Sequence, residues 1–328
     1  MTRVLRIDPD HPDERLLAEA AEVLCRGGLA AFATETVYGL GADATNPKAV
    51  GRVFAAKGRP SSNPLIVHVR SIDQARACAA DWPDIAEVLA RRFWPGPLTL
   101  VLPRSALIPD AVTAGLDTVG VRMPATPVAL GLIQAANRPL AAPSANRANR
   151  VSPTRAEHVL KDLEGRVEIV LDSGPTTAGI ESTVVDLTRG APYRVLRPGP
   201  ITAERLSAAA GVEVVEEALH LGPARSPGQG PLHYAPRTPT IRLHVDEVAS
   251  FDWPERGWLL VLGHEAPAVP ASVRVFVWAG PEQAATALYD TLHRADAADL
   301  ERIVIIEPPE GPAWSALRDR IARATSAR

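Results

Sequence analysis

Residues 221–239, LGPARSPGQGPLHYAPRTP, constrain the architecture more than any other stretch. Proline lacks a backbone donor and glycine loses the most entropy on ordering, so neither a helix nor a central strand persists through such a segment. It reads as a linker, and 328 residues suit two domains better than one. The chain divides into 1–215, a connection over 216–239 and a smaller unit over 240–328.

Before the linker, short apolar runs alternate with helical patterns. Glu14 to Arg26 carries Leu16, Leu17, Ala20, Ala21 and Leu24 at helical spacing and stops at Gly27-Gly28. LAAFA (29–33), LIVHV (65–69), LTLVL (98–102), VGVRM (119–123), VEIVL (167–171), STVVDL (182–187) and YRVL (193–196) read as strands. The last two flank Thr188-Arg189-Gly190-Ala191-Pro192, a hairpin connection, and Thr154 to Glu157 has capping-box spacing for a helix start. After the linker, IRLHV, WLLVL, VRVFVW and IVIIE read as strands, and Glu282 to Arg294 and Ala313 to Ala324 as helices. Leu288 and Leu292 should face that core, and His293 the solvent. Both parts are α/β, the second built on a small parallel or mixed sheet.

The bulk properties exclude some classes of function. Hydrophobic residues make up 46%, charged residues 22%, and the formal net charge is −3. These values fit a globular chain and give no electrostatic case for a nucleic-acid or membrane partner. Cys25 and Cys78 are too few and too far apart for a disulfide framework or a structural zinc site, as a reducing cytoplasm would have it. With no secretory or membrane-spanning run, a soluble cytoplasmic protein is expected.

Polar residues of the first part gather at strand ends, where α/β enzymes place their sites. In Lys57-Gly58-Arg59-Pro60-Ser61-Ser62-Asn63-Pro64, two cations around a glycine suit a polyphosphate; a solvated turn is the alternative, and P-loop spacing is absent. Exposed phosphate ligands of this kind would contribute little to the core. Ala142-Pro143-Ser144-Ala145-Asn146-Arg147, continuing to Ser152, offers small hydrogen-bonding groups. Arg122 falls on an apolar strand and needs an anion, either a protein carboxylate or a substrate's. His68 lies inside LIVHV, where a satisfied core histidine is the alternative to a ligand. No zinc spacing, GxSxG elbow or Cys/His pair is present.

In order, TETVYGLGADA, KGRPSSNPLIVHV, FWPGPLTLVL, GVRMP, APSAN, SGPTTAGIESTVVD and LRPG resemble the threonylcarbamoyl-AMP synthase family, from about residue 12 to 207. The linker and final unit resemble its longer, two-domain form. The resemblance implies a YrdC-like twisted mixed sheet followed by a smaller Rossmann-like α/β domain. It implies a nucleotidyltransferase that makes threonylcarbamoyl-AMP and pyrophosphate from L-threonine, bicarbonate and ATP, with Mg²⁺ assisting. Separate machinery would then transfer the threonylcarbamoyl group to tRNA, with direct tRNA binding by this chain weak.

By the same resemblance, Lys57, Arg59 and Asn63 hold the ATP phosphates, Lys57 and Arg59 being the catalytic pair. Ser144, Asn146, Ser152, Thr118, Arg197 and Tyr234 complete the ATP site. Thr36, His68, Arg122, Ala142 and Ser182 hold threonine, Ala142 through its backbone. The glycines of TETVYGLG would let the backbone approach the ligand, with Glu35 a structural acceptor. His233 and Tyr234 suggest that residues 226–236 close over the nucleotide, a plain tether being the alternative. Two rivals are a carbamoyltransferase relative, which needs zinc-binding cysteine pairs this chain lacks, and an RNA-binding module using Arg147, Arg150 and Arg155.

Overall fold

The computed structural model describes residues 1–216 and 233–325. Most of the expected connection, 217–232, lies outside the described residues. The first part contains β1 (Arg3–Arg6), α1 (Glu14–Cys25), β2 (Ala30–Ala33), β3 (Tyr38–Asp43), α2 (Pro47–Lys57), β4 (Ile66–His68), α3 (Ile72–Cys78), α4 (Asp84–Phe93) and β5 (Leu98–Pro103). It continues through α5 (Asp110–Thr113), β6 (Thr118–Arg122), α6 (Pro127–Ala136), β7 (Leu140–Ala141), α7 (Ala156–Leu163), β8 (Ile169–Asp172), β9 (Thr183–Asp186), β10 (Tyr193–Arg197), α8 (Ala203–Ala210) and β11 (Val214–Glu216). The strands form one mixed eleven-stranded sheet in the order β1-β8-β2-β3-β7-β4-β6-β5-β9-β10-β11.

The sheet is covered on both faces. On one, α1 and α6 bury Leu17, Leu24, Val128 and Leu132 against Phe32, Ile169 and Leu171. On the other, Leu40, Val67, Leu100, Val121 and Val185 join Val50 and Val53 of α2. Each such Leu or Val, fully buried, contributes about 1.5–3 kcal/mol. The first helix obeys its sequence signals: the Asp13 side chain accepts from the Arg15 N–H, and the chain leaves at Gly27 with φ of 80°. The hairpin is also present, β9 and β10 pairing antiparallel. Strands β1, β3, β7 and β11 were not expected. The capping box at Thr154 does not form: α7 begins at Ala156, and Thr154 lies beside His158 Nδ1.

The second part has β12 (Thr240–Leu243), β13 (Gly257–Leu262), β14 (Arg274–Trp278), α9 (Pro281–Ala295), β15 (Arg302–Ile306) and α10 (Ser315–Ala324). Its sheet is wholly parallel, ordered β12-β15-β13-β14. Leu288 and Leu292 enter its core as expected. His293 does not face solvent. It is buried, stacked on His158 at 3.8 Å between ring centroids, with Nε2 3.1 Å from the Ser152 carbonyl. Helix α9 has two packed faces, one on its own sheet and one on the large domain, and helical spacing reports only the first.

The two parts meet closely at Gly179. With φ of 73°, a Cβ there would stand 2.4 Å from the Ala285 carbonyl oxygen and 2.5 Å from Thr286 Cα, so only glycine lets this loop touch α9. Thr286 Oγ1 donates to the Thr177 carbonyl at 2.9 Å across the same seam.

Candidate active site

Where β2 ends, the backbone turns tightly before β3. Thr34 Oγ1 donates to the Val37 carbonyl at 2.7 Å and lies 2.8 Å from Thr36 Oγ1, so the hydroxyls first satisfy the turn itself. Glu35 and Tyr38 leave in other directions. Glu35 accepts from Arg122 Nη2 at 2.6 Å and from the Ala125 N–H at 3.0 Å, while the Tyr38 hydroxyl donates to the Gly174 carbonyl at 2.6 Å. Gly39 lines the cavity, whereas a Cβ at Gly41 would meet the Phe32 ring at 2.8 Å, so that glycine makes room for the core.

The ends of β4, β6 and β10 bring His68, Arg122 and Arg197 to this turn. His68 and Arg122 are register partners on adjacent parallel strands. Together with Thr36, Arg59, Ala142, Ser144, Ser182 and Tyr234 they line one cavity, whose water-accessible volume is about 40 Å³. Nine residues expected from the sequence therefore converge. His233, noted with Tyr234 in the sequence, lines it too, as does Glu181, which sequence reasoning missed. Glu181 sits in a polar loop, GIEST, where spacing does not distinguish a buried carboxylate from an exposed one.

Arg59 and Lys57 are buried rather than exposed, correcting the expectation of surface phosphate ligands. Gly58 caps α2 in the left-handed conformation and turns Arg59 inward. There Arg59 Nη2 donates to the Pro64 carbonyl at 3.1 Å, and its Nε has no partner among the described residues. Burial pushes this guanidinium down to about 10, so it is charged at neutral pH. Lys57 points beneath the cavity: its ammonium donates to the Ser144 and Asn146 carbonyls and to Asn146 Oδ1. It thus props the loop that presents Ser144, and burial, with Arg59 nearby, holds its pKa well below the usual lysine range.

Arg122 has a protein carboxylate as partner. Besides Glu35 it donates through Nη1 to Thr36 Oγ1 at 2.9 Å and through Nε to the Gly96 carbonyl at 3.2 Å. Burial, then Arg122, holds His68 down to about 3, so it is neutral, and its buried Nδ1 has no partner among the described residues. Arg197 donates to the Ser182 carbonyl at 2.9 Å and to Ser182 Oγ at 3.0 Å. Tyr234 is 1% exposed, its ring 5.7 Å from Tyr289 and its hydroxyl without a partner among the described residues. Of the 226–236 segment expected to close over the site, 226–232 lies outside the described residues.

The remaining candidates stand apart from the cavity lining. Asn146 and Ser152 lie behind it, Asn146 accepting from the Ser144 hydroxyl and Ser152 donating to Glu181. Asn63 leaves its buried Oδ1 without a partner among the described residues. Thr118 opens β6, four residues from Arg122 on the same strand. The basic strip of the RNA-binding reading is broken, since Arg155 pairs with Asp290 at 2.8 Å across the domain seam. No helix among the described residues is long and apolar enough to cross a membrane.

Three guanidiniums and a set of hydroxyls around a narrow cavity suit binding and charge neutralisation of anionic reactants. Comparison with known proteins gives the same direction. Residues 22–199, over half the chain, match the family model described as "Telomere recombination" (Sua5, yciO and yrdC), and residues 201–326 match "Threonylcarbamoyl-AMP synthase, C-terminal domain". The chain is 40% identical to the threonylcarbamoyl-AMP synthase of Bacillus subtilis, over 95% of this chain and 93% of that one. It is 49% identical to that of Pyrococcus abyssi over 68% of this chain and 66% of the relative. The fold matches the crystal structure of P. abyssi Sua5 complexed with L-threonine, with a TM-score of 0.90 and 38% identity over 99% of this chain and 98% of the other. The chain belongs to the threonylcarbamoyl-AMP synthase family.

Proposed function

We propose that this chain is a threonylcarbamoyl-AMP synthase whose reaction takes place in the Arg59–Arg122–Arg197 cavity. Bicarbonate and the threonine amine condense to a carbamate with loss of water. A carbamate oxygen then attacks the α-phosphorus of ATP, forming the mixed anhydride as pyrophosphate leaves. The observation that carries the reading is the convergence of these three guanidiniums with Thr36, Ser144 and Ser182 at one group of strand ends.

Each residue type fits its proposed part. Arg59 and Arg197 would take phosphate oxygens, with Lys57 supporting the Ser144–Asn146 loop, and Asn63, Thr118, Asn146 and Ser152 belonging to the wider ATP site. The unpartnered Tyr234 hydroxyl would complete that site. Arg122, shared with Glu35, would take the threonine carboxylate beside Thr36, neutral His68, the Ala142 backbone and Ser182. A water-poor cavity would also protect the carbamate and the adenylate from hydrolysis.

Mg²⁺ enters this proposal as the companion ion of ATP. Glu35 and Glu181 are committed to Arg122 and Arg320, and no group of three or more candidate ligands among the described residues fits a metal cage. Phosphate and water oxygens would hold the ion. The labile product would pass to transfer machinery acting on tRNA.

The test is incubation of the chain with ATP, Mg²⁺, L-threonine and labelled bicarbonate. A labelled adenylate and pyrophosphate, both dependent on threonine, are expected. ATP consumption without label in a nucleotide product would refute the assignment.

A further inference from the structure

Glu181 is a cavity-facing carboxylate held largely from the far end of the chain. Its Oε1 accepts from the Ser152 hydroxyl at 2.6 Å; its Oε2 accepts from the Tyr289 hydroxyl at 3.0 Å and from Arg320 Nε at 2.8 Å. Tyr289 belongs to α9 and Arg320 to α10, both in the second domain. Arg320 is completely buried; its Nη2 donates back to the Pro198 carbonyl of the large domain at 2.9 Å, and its Nη1 to Asp319, a carboxylate that Arg323 also pairs. Burial alone would push the Glu181 carboxyl up; Arg320, then Arg197, holds it down to about 2, so it is ionised at neutral pH.

A buried ion pair is weak support for a fold, because desolvation offsets most of its attraction and apolar residues could fill the same space. Its place says more. Glu181 shares the cavity with Arg59 and Arg197, and Arg197 is close enough for its charge to act on the carboxylate. Left uncompensated, a carboxylate there would compete with an incoming anion for those guanidiniums.

We propose that Arg320 is a positioning residue for the nucleotide site: with Tyr289 it holds Glu181 against Ser152 and neutralises it from behind, leaving Arg59 and Arg197 to act on ATP. This rests on the reading of the cavity as the ATP site. It gives the second domain a chemical part in the reaction, because the counter-charge comes from α10. Arg320 itself need not touch substrate. Its Cζ lies 5.1 Å from the Tyr234 ring, so the same side chain also backs the aromatic residue that lines the cavity.

The experiment uses the full-length chain, with ATP binding followed by calorimetry and initial rates measured against ATP and threonine separately. In Arg320→Met, the Kd and KM for ATP should rise roughly tenfold or more, on the scale of one lost charge-assisted contact, while the threonine KM stays within about threefold. Adding Glu181→Gln to Arg320→Met should recover most of the ATP affinity, because the uncompensated charge is gone. A purely structural role predicts instead that ATP and threonine binding fall together in the single variant and recover together in the double variant.

Unchanged ATP affinity in Arg320→Met, equal losses for ATP and threonine, or a double variant as weak as the single one would each overturn the proposal. If Arg320→Met does not fold, Tyr289→Phe carries the test. It removes one donor to Glu181 while keeping the ring, and should weaken ATP selectively; an unchanged ATP Kd overturns the idea. A wild-type chain that binds ATP without making the adenylate refutes the proposed reaction but leaves the calorimetric comparison decisive. A wild-type chain that binds no ATP overturns both.

Discussion

Replacing Arg122 with glutamine separates its two roles, because the structure gives it one and the proposed reaction the other. The guanidinium is 4% exposed and makes three hydrogen bonds: to Glu35 at 2.6 Å, Thr36 at 2.9 Å and the Gly96 carbonyl at 3.2 Å. Arg122→Gln leaves the Glu35 carboxylate with the Ala125 N–H as its remaining polar partner among the described residues. Removing one member of a buried pair costs about 3–5 kcal/mol of stability, and urea unfolding should show it. Threonine binding should weaken by about 1.5–3 kcal/mol, the range for a hydrogen bond to a charged group, or roughly 10- to 150-fold in Kd. ATP should be affected much less. The double variant Glu35→Gln/Arg122→Gln removes the stranded charge, so stability should return in part while threonine binding stays lost. Recovery of threonine binding in that double variant would refute the ligand role of Arg122 and leave only the structural pair.

Other expectations follow from individual contacts. Tyr234→Phe removes a buried hydroxyl that has no partner among the described residues, so the urea midpoint should hold or rise; a fall in ATP affinity measured on the same sample assigns the hydroxyl to the ligand, and unchanged affinity rejects that. Burial, then His293 and Arg155, holds His158 down from 6.5 to about 3, and burial lowers His293 as well. Asp290, 3.8 Å from His158 Nε2, opposes this, and Lys161 adds to it. The unfolded chain therefore binds more protons between those values, so the stability contributed by the neutral pair is complete above about 6.5 and declines as pH falls toward 3. His158→Gln should flatten the slope of the urea midpoint over that window, and an identical slope would exclude the pair as its source. Gly179→Ala adds a Cβ against the α9 backbone at a positive φ, so it should lower the midpoint by several tenths of a molar urea, on the order of 1–3 kcal/mol, and reduce adenylate formation.

Local patterns were most legible where one face of an element decides its environment. The stripe from Leu16 to Leu24 specified α1, and the four apolar runs after the linker specified the second sheet. Strand β3 is not legible in the sequence because Tyr38–Asp43 contains two glycines and an aspartate, poor strand formers in isolation. It is stable there through pairing with β2 on one side and β7 on the other, a tertiary effect. His293 was misplaced for a related reason: a helix packed on two sides has no solvent face for periodicity to reveal.

By itself the sequence determined the α/β character of both parts and the residue types that suit anions. Those properties are local: backbone freedom, side-chain period and formal charge are carried by short stretches of chain. Tertiary structure decided which charges remain available to a ligand. Lys57 is turned under the Ser144 loop, Arg122 is shared with Glu35, and Glu181 is held by Arg320, which is 139 residues away in sequence. Pairing of buried charges depends on distances of 2.5 to 3 Å between atoms from remote segments, and no spacing rule along one chain encodes them.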